Sequence, residues 1–358
     1  MATRTDLEVV TLTKHGQPTL GAVAREAGVS VATVSKVLND RFDVSTATRT
    51  RVRQLLDAHG YVRSSQRAPG ARWLVDLVLP PLDSPYVLEV LRGVTAGPLD
   101  VVVRSTGDPD LGPSWVEGLL RRSGRAGSIV VVPELTDVER DLLRSSPEPC
   151  VVVDPTEPPD EALPGVGAAN RDGGRAATRH LLELGHRRIA VVSGPREVLC
   201  SRERIAGHRD ALVVAGVGLD PALEVAGDFH HNGGLAAGRR LLDLPDPPTA
   251  VFAGSDEQAL GVLDAARERG LRVPEDLSVV GFDDLPAARW TSPALTTVRQ
   301  PLTEMGLRAA ELLRTLLEGG SVGRAHLELP TELQVRSSTA APPQPTRPGG
   351  RGRELAAA

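Results

Sequence analysis

Apolar residues recur at helical spacing over the first sixty positions, and beyond position 73 they gather into short continuous runs. Leu20, Val23, Ala24 and Ala27 give a first helix one apolar face. Gly28-Val29-Ser30 stops it, because Gly28 accepts the left-handed backbone of a tight turn and the Ser30 side chain can cap the amides of the next helix. That helix, Val31 to Leu38, turns Val34, Val37 and Leu38 inward and leaves Val31, Ala32, Ser35, Lys36 and Asn39 on its outer side. A third helix begins near Ser45, buries Val52, Leu55 and Leu56, and stops at Gly60. Three short helices over 19 to 61 make a helix-turn-helix, whose second helix presents its amino-terminal end to base edges in a DNA major groove.

Residues 62 to 72, VRSSQRAPGAR, are rich in Arg, Ser, Pro and Gly and read as a linker. From Trp73 β-branched runs alternate with amphipathic stretches: LVDLVLP, a helix from Pro85 to Val94, VVVRS, a helix from Ser114 to Arg121, SIVVVP, a helix from Val138 to Arg144, and CVVVD. Such strands predict a parallel sheet covered on both faces. The alternation then restarts, with helices from Gly173 to Leu184, Arg204 to Ala215, Gly233 to Leu242, Glu257 to Arg269 and Glu304 to Leu317 around the strands RRIAVVSG, LEVAGDF, TAVFAG and LSVVGF. The expected fold is an all-α head followed by an α/β body of two successive doubly wound lobes over 73 to 337. Its ligand would lie in the crevice beyond the carboxyl ends of the strands. Residues 1 to 18 are expected to be a flexible lead. Residues 338 to 358, with much Pro, Gly and Arg and few large apolar side chains, are expected to be a disordered tail.

Charge sharpens this division. The net charge is −5, yet residues 1 to 72 hold eleven Lys and Arg against six Asp and Glu, a balance of +5, so the rest carries −10. A basic head suited to phosphate sits on an acidic body that phosphate does not attract. Cys150 and Cys200 are the only cysteines, each in or beside an apolar run and without metal spacing. Buried free thiols in a reducing cytosol are therefore expected, with no metal site. No apolar run is long enough for a signal peptide or a membrane span, so the expectation is a cytoplasmic protein with no membrane partner. The tail lacks an apolar heptad, which favours a homodimer over a coiled-coil tetramer.

The run Val23-Ala24-Arg25-Glu26-Ala27-Gly28-Val29-Ser30, followed by Thr33-Val34-Ser35 and Val37-Leu38-Asn39, resembles the helix-turn-helix of the lactose-repressor (LacI) family of bacterial transcription regulators. Ala177 to Leu181 with Leu184-Gly185-His186, Glu203-Arg204 with Gly207, Ser255-Asp256 with Ala259-Leu260-Gly261, Val273 to Asp276 with Val280-Gly281-Phe282-Asp283-Asp284, and Leu295 to Val298 look like that family's sensor domain, itself similar to periplasmic sugar-binding proteins. The resemblance spans roughly 19 to 337. Between Gly93 and Val101 this chain is shorter than the family usually is, so its first sensor helix is truncated or its turn rebuilt.

The resemblance implies a repressor without cofactor, each head reading half of a palindromic operator in double-stranded DNA, with a small-molecule effector, expected to be a sugar, between the lobes. Lys36 falls at a base-reading position, where its cation reaches guanine O6 and N7 without the planar fork of an arginine. Val31 and Ala32 offer only shape and thymine-methyl contact. Ser30, Thr33, Ser35 and Asn39 are expected to clamp phosphates. For the effector, the resemblance places Arg204, an aromatic stacking ring at Phe229 and the carboxylate of Asp256, with Tyr86 and Asp154 supplying the first-lobe contacts. Asp256 also suits a helix cap, worth about 1 kcal/mol. A competing class is a sugar-binding or sugar-processing enzyme with an incidental basic segment. No phosphate-cradling Gly-rich loop follows the first strand and no His or Cys cluster has metal spacing; adjacent His230 and His231 point in different directions. No catalytic residue is therefore assigned.

In the linker, the family usually carries a short helix with a leucine wedged into the minor groove. Here that position is Gly70, preceded by Pro69. Proline lacks an amide donor and glycine has no wedge, leaving Arg63, Arg67 and Arg72 to grip a narrow minor groove electrostatically. DNA bending should be weak and Gly70→Leu should increase it. Circular-permutation gel shifts measure this, and a sharp central kink unchanged by Gly70→Leu would contradict it.

Overall fold

A computed structural model describes residues 20–38, 44–58, 72–82, 84–108, 111, 114–121, 124–131, 135–158, 162–323 and 326–343 of the chain. It divides into two compact units between Arg72 and Trp73. The lead, the linker with Arg63, Arg67 and Gly70, Asn39, and the side chains of Leu20, Ala32, Ser35 and Leu38 lie outside the described residues.

In the head, α1 (Leu20–Ala27), α2 (Val31–Leu38) and α3 (Thr46–Ala58) enclose one small core. Val23, Ala24, Ala27, Val34, Val37, Val52 and Leu56 fill it, with Leu55, Val29 and Val44 half-buried at its edge. Gly28 takes the left-handed backbone that the sequence demanded, with φ +70°. Ser30 caps α2 by accepting from the Thr33 amide at 3.1 Å, and Ser45 caps α3 by accepting from the Thr48 amide at 3.3 Å.

In the body, β1 (Trp73–Leu79), α4 (Pro85–Ala96), β2 (Leu99–Ser105), α5 (Trp115–Leu120), β3 (Ser128–Val131), α6 (Asp137–Arg144), β4 (Cys150–Val153) and β5 (Gly165–Ala168) begin the first lobe. The second lobe holds α7 (Asn170–Glu183), β6 (Ile189–Ser193), α8 (Leu199–Val214), β7 (Glu224–Ala226), α9 (His231–Leu242), β8 (Ala250–Ala253), α10 (Asp256–Glu268), β9 (Ser278–Asp283) and β10 (Thr296–Arg299). The chain then returns to the first lobe with α11 (Leu302–Leu317) and β11 (His326–Leu329), and crosses once more to β12 (Glu332–Gln334). The sheet orders are β11-β5-β4-β3-β1-β2 and β12-β10-β9-β8-β6-β7. Every pairing is parallel except β10 with β12.

Two expectations change here, and one open alternative is decided. The lobes are not successive blocks: α11 belongs to the first, where Leu302, Met305, Ala309, Ala310 and Leu313 join Val75, Leu77, Ile129 and Val151 in its core. Helical periodicity shows that α11 needs an apolar partner but cannot say which sheet supplies it. The chain is also pinned past Ser338, whose hydroxyl donates to the Val279 carbonyl at 2.6 Å and accepts from the Thr296 amide at 2.8 Å. The Ala340 amide donates to Ser278 Oγ at 3.0 Å, so residues 338 to 340 are tied to the amino-terminal ends of β9 and β10 rather than forming part of a disordered tail. The short stretch after Gly93 is a rebuilt turn: α4 keeps three helical turns and Gly97-Pro98 leads straight into β2.

Paired glycines set the helix packing. A Cβ on Gly306 would strike the Val90 carbonyl and one on Gly93 the Thr303 carbonyl, so α4 and α11 touch backbone to backbone; Gly174 with Gly207 and Gly234 with Gly261 do the same for α7–α8 and α9–α10. An exposed helical Gly→Ala gains up to about 1 kcal/mol in propensity. Forcing a methyl into backbone costs about 1–3 kcal/mol, and that term should win at Gly306. Gly306→Ala should therefore lower the urea midpoint, whereas Gly218→Ala, whose Cβ meets open space, should leave it unchanged.

Candidate functional site

Between the lobes lies a cavity of about 580 Å³. Its walls are the residues that follow the carboxyl ends of the strands: Pro80 and Pro81 after β1, Thr106 after β2, Asp154 and Thr156 after β4, Pro195 after β6, Ser255 after β8, and Asp283 closing β9. A parallel sheet leaves this edge open, because each chain turns there toward its covering helix. Hydrogen bonds among the described residues cross the cleft. Ser84 Oγ donates to Glu257 Oε1 at 2.5 Å, and the Leu199 amide donates to the Thr156 carbonyl at 3.0 Å.

Tyr86, Asp154, Arg204 and Phe229, proposed from four distant stretches of sequence, all line this one cavity. Arg204 is 4% exposed, and α8 begins at Leu199, a turn earlier than expected, so Arg204 lies within the helix rather than opening it. Its Nε donates to Asn170 Oδ1 at 2.8 Å and its Nη1 to the Gly254 carbonyl. The guanidinium carbon lies 3.8 Å from the Phe282 ring centroid and 5.5 Å from that of Phe229, a cation–π arrangement. Tyr86 Oη donates to Asp154 Oδ2 at 3.1 Å. Gly194 leaves room for the Phe229 ring, since a Cβ there would enter it.

Backbone strain concentrates at the same place. Asp154 (φ 52°), Phe229 (φ 69°) and Asp283 (φ 116°) all have positive φ, uncommon for aspartate and a true outlier for a bulky aromatic. Such conformations cost roughly 1–3 kcal/mol each and persist where surrounding contacts dictate them. Ser255 Oγ, donating to the Phe229 carbonyl at 2.5 Å, is one such contact.

Asp256 departs from its expected role. It is 1% exposed and stands behind the cavity wall, with Oδ1 accepting from Thr297 Oγ1 at 2.5 Å and Oδ2 from the Leu285 amide at 2.7 Å. Both oxygens are occupied in tying β10 to the loop after β9. The helix α10 is capped instead by Ser255, which accepts from the Gln258 amide at 3.0 Å. The carboxylates that do face the cavity from the second lobe are Asp283, Asp228 and Glu257. Asp283 appeared in the sequence only as part of a strand-end motif, and its position at the end of β9 was the signal that could have found it.

Burial pushes the Asp283 carboxyl up to about 7, against partial offsets from Arg204, 3.8 Å away, and from Gln300 Nε2, which donates at 2.6 Å. Burial likewise raises Asp154, with Arg204 and the Tyr86 hydroxyl holding it back. Asp256 is raised well above the usual carboxylate range, first by burial and then by the nearby Asp283. The thiol of Cys200, on the cavity wall, is pushed up to about 12 by burial and is no nucleophile. His230 and His231 turn to different carboxylates, Glu257 at 3.3 Å and Asp264 at 2.9 Å. Among the described residues no three metal-ligating side chains cluster, and no helix is long and apolar enough to cross a membrane.

On the head, Ser30, Val31 and Lys36 are exposed and Thr33 is half-exposed, on the outer side of α2. Ser30 and Thr33 also bond each other, hydroxyl to hydroxyl at 2.9 Å.

A capped helix-turn-helix joined to a two-lobed, strand-edge cavity is the architecture of a ligand-controlled DNA-binding regulator. Residues 19–64 match the family model for bacterial regulatory proteins of the lacI family, and residues 178–339 match that for a periplasmic binding protein-like domain. The transcriptional regulator CelR of Thermobifida fusca is 35% identical over 91% of this chain and 99% of its own length. The transcriptional repressor CytR of Escherichia coli is 34% identical over 91% and 97%. Among solved structures, a CelR–cellobiose complex superposes with a TM-score of 0.68 over 90% of this chain and all of that one, at 35% identity. A lac repressor dimer bound to operator and the anti-inducer ONPF gives 0.66 over 91% and 100%, at 28% identity. The chain belongs to the LacI family. It is a DNA-binding transcription regulator and not an enzyme.

The buried acid makes stability depend on pH. Asp283 holds its proton more tightly folded than unfolded, so between about 3.8 and about 7 its contribution falls as pH rises. His208, buried and held down to about 4, has the opposite slope: its contribution is lost as pH falls from 6.5 toward 4. Asp283→Asn removes the first and keeps the second. It should be more stable than wild type near pH 7, by on the order of 2 kcal/mol, with the advantage shrinking on acidification. Urea unfolding at several pH values measures this, and an advantage independent of pH would count against it.

Proposed function

We propose that this protein is a cytoplasmic, homodimeric repressor whose release from, or retention on, a palindromic operator is set by a sugar held between the lobes. The observation that carries the reading is the convergence of Tyr86, Asp154, Arg204 and Phe229, with Asp283, on one cavity that both lobes must close. Carboxylates accept hydroxyl hydrogen bonds, and an aromatic ring packs the apolar face of a pyranose. Relatives point the same way: one solved structure of CelR holds cellobiose, and a LacI-family regulator from Enterococcus faecium, 27% identical, holds ribose.

The sugar acts as a cleft clamp. It satisfies acceptors from both lobes at once, so it favours one lobe angle over another by its differential contacts. A coupling of roughly 1–3 kcal/mol between cleft and operator suffices for regulation. On DNA, Lys36 reads a base while Ser30, Thr33, Ser35 and Asn39, with Arg63 and Arg67 of the linker, hold the backbone. Val31 and Ala32 contribute shape. Asp256 supports the clamp by holding the Leu285 amide and Thr297.

Two variants separate the halves. Lys36→Ala should cost roughly 1–3 kcal/mol of operator binding and relax preference at one base pair, as read by binding-site selection. Arg204→Ala should leave operator affinity intact in gel retardation while abolishing its response to saccharide. Unchanged selection in the first variant, or an unchanged response in the second, would sink the corresponding assignment.

A further inference from the structure

Resting on the sugar reading, we infer that the effector is an uncharged disaccharide, with one ring at Phe229 and the second stacked on Trp115, which thereby becomes a specificity-determining residue. Trp115 opens α5 in the first lobe, while Phe229 stands in the second, and both line the same cavity. Trp115 packs partly against the buried cluster of Val78, Val116, Val130 and Val152, so it is anchored while its remaining surface meets the cavity beside Pro80, Pro81 and Thr106. A rigid indole with two torsions loses little entropy when a ring stacks on it.

Size separates one ring from two. The cavity of about 580 Å³ corresponds to about nineteen waters at ~30 Å³ each. A hexose has about a dozen heavy atoms and a disaccharide about twice that. Bonded atoms pack more densely than waters, so two rings take the larger part of the space and leave room for bridging waters, whereas one leaves most of it wet.

Charge decides the rest. Among the described lining residues Asp154, Asp228, Glu257 and Asp283 are acidic, against Arg204 and the exposed His230. Arg204 is the one guanidinium among the described lining residues, and its single charge already faces Asp283 at 3.8 Å and acts on Asp154, so it does not offset an added anion. A phosphorylated sugar would meet uncompensated carboxylates. A wall rich in acceptors calls for a ligand rich in donors, and a disaccharide offers more hydroxyls than a nucleoside of similar length.

The test is calorimetry on the full chain, wild type, Trp115→Ala and Trp115→Phe, with cellobiose, maltose, lactose and sucrose, their component hexoses, glucose 6-phosphate and cytidine. The expected result is one disaccharide binding at least about tenfold more tightly than either component hexose. Trp115→Ala should lose most of that advantage while changing hexose affinity less than about twofold, and Trp115→Phe should restore much of it. Unchanged operator retardation by Trp115→Ala checks its folding. A hexose binding as tightly as the best disaccharide, tighter binding of glucose 6-phosphate or cytidine, or equal losses for both ring counts in Trp115→Ala would overturn the inference. Selective hexose binding removes the second subsite alone, whereas wild type binding no saccharide removes the sugar reading with it.

Discussion

One buried guanidinium organises the cleft. Taking an arginine out of water costs several kcal/mol, and the cost is recovered only where its donors and its planar face all find partners. Arg204 finds partners on three separate pieces of chain: Asn170 at the point where the chain enters the second lobe, the Gly254 carbonyl beyond β8, and the end of β9, with the Phe282 ring and Asp283 beside it. The strand ends that build the cavity wall are therefore held to one another through this side chain. Its charge also keeps Asp154 and Asp283 from rising as far as burial alone would carry them, so that both can become acceptors when hydroxyls arrive. Neutral partners take its strongest hydrogen bonds, and the carboxylates stay available to a ligand.

Around that point each lobe is stiff and the joints between lobes are slight. The paired glycines let α4 and α11, α7 and α8, and α9 and α10 pack at backbone contact, where a small change in angle would produce a clash. The lobes are joined by three short crossings, between β5 and α7, β10 and α11, and β11 and β12. Motion thus concentrates in the crossings, and the bonds that span the cleft, Ser84 to Glu257 and Leu199 to Thr156, are few enough to be remade at another angle. Asp284 steadies one crossing, its carboxylate gripped by Arg336 and by Arg299 at 2.8 Å.

What the sequence determined by itself is local or is carried by spacing. The head's three helices, their Ser30 and Ser45 caps and the left-handed Gly28 follow from residues within a few positions of one another, and the structure keeps each. Most body strands were legible as β-branched runs. Those missed were β5, whose Gly-Val-Gly-Ala carries no such run, β10, which buries Thr296 and Thr297, and the short edge strands β11 and β12. Four cavity residues came from their family positions, which encode three-dimensional place in one-dimensional spacing.

Tertiary structure decided what depends on contacts between distant segments. Periodicity marks α11 as half-buried, but only chain reversal through the second lobe delivers it to the core of the first. An aspartate at a helix start reads equally as cap, ligand contact or strut. The fold assigns Asp256 the third role because Thr297 and the Leu285 amide, 41 and 29 residues away, arrive at its two oxygens. Ser338, in a stretch of tail-like composition, is buried because the Val279 carbonyl and the Thr296 amide, at the amino-terminal ends of β9 and β10, offered it partners. Hydrogen-bonding capacity is a property of a residue, whereas which partner meets it is set by where the rest of the chain closes.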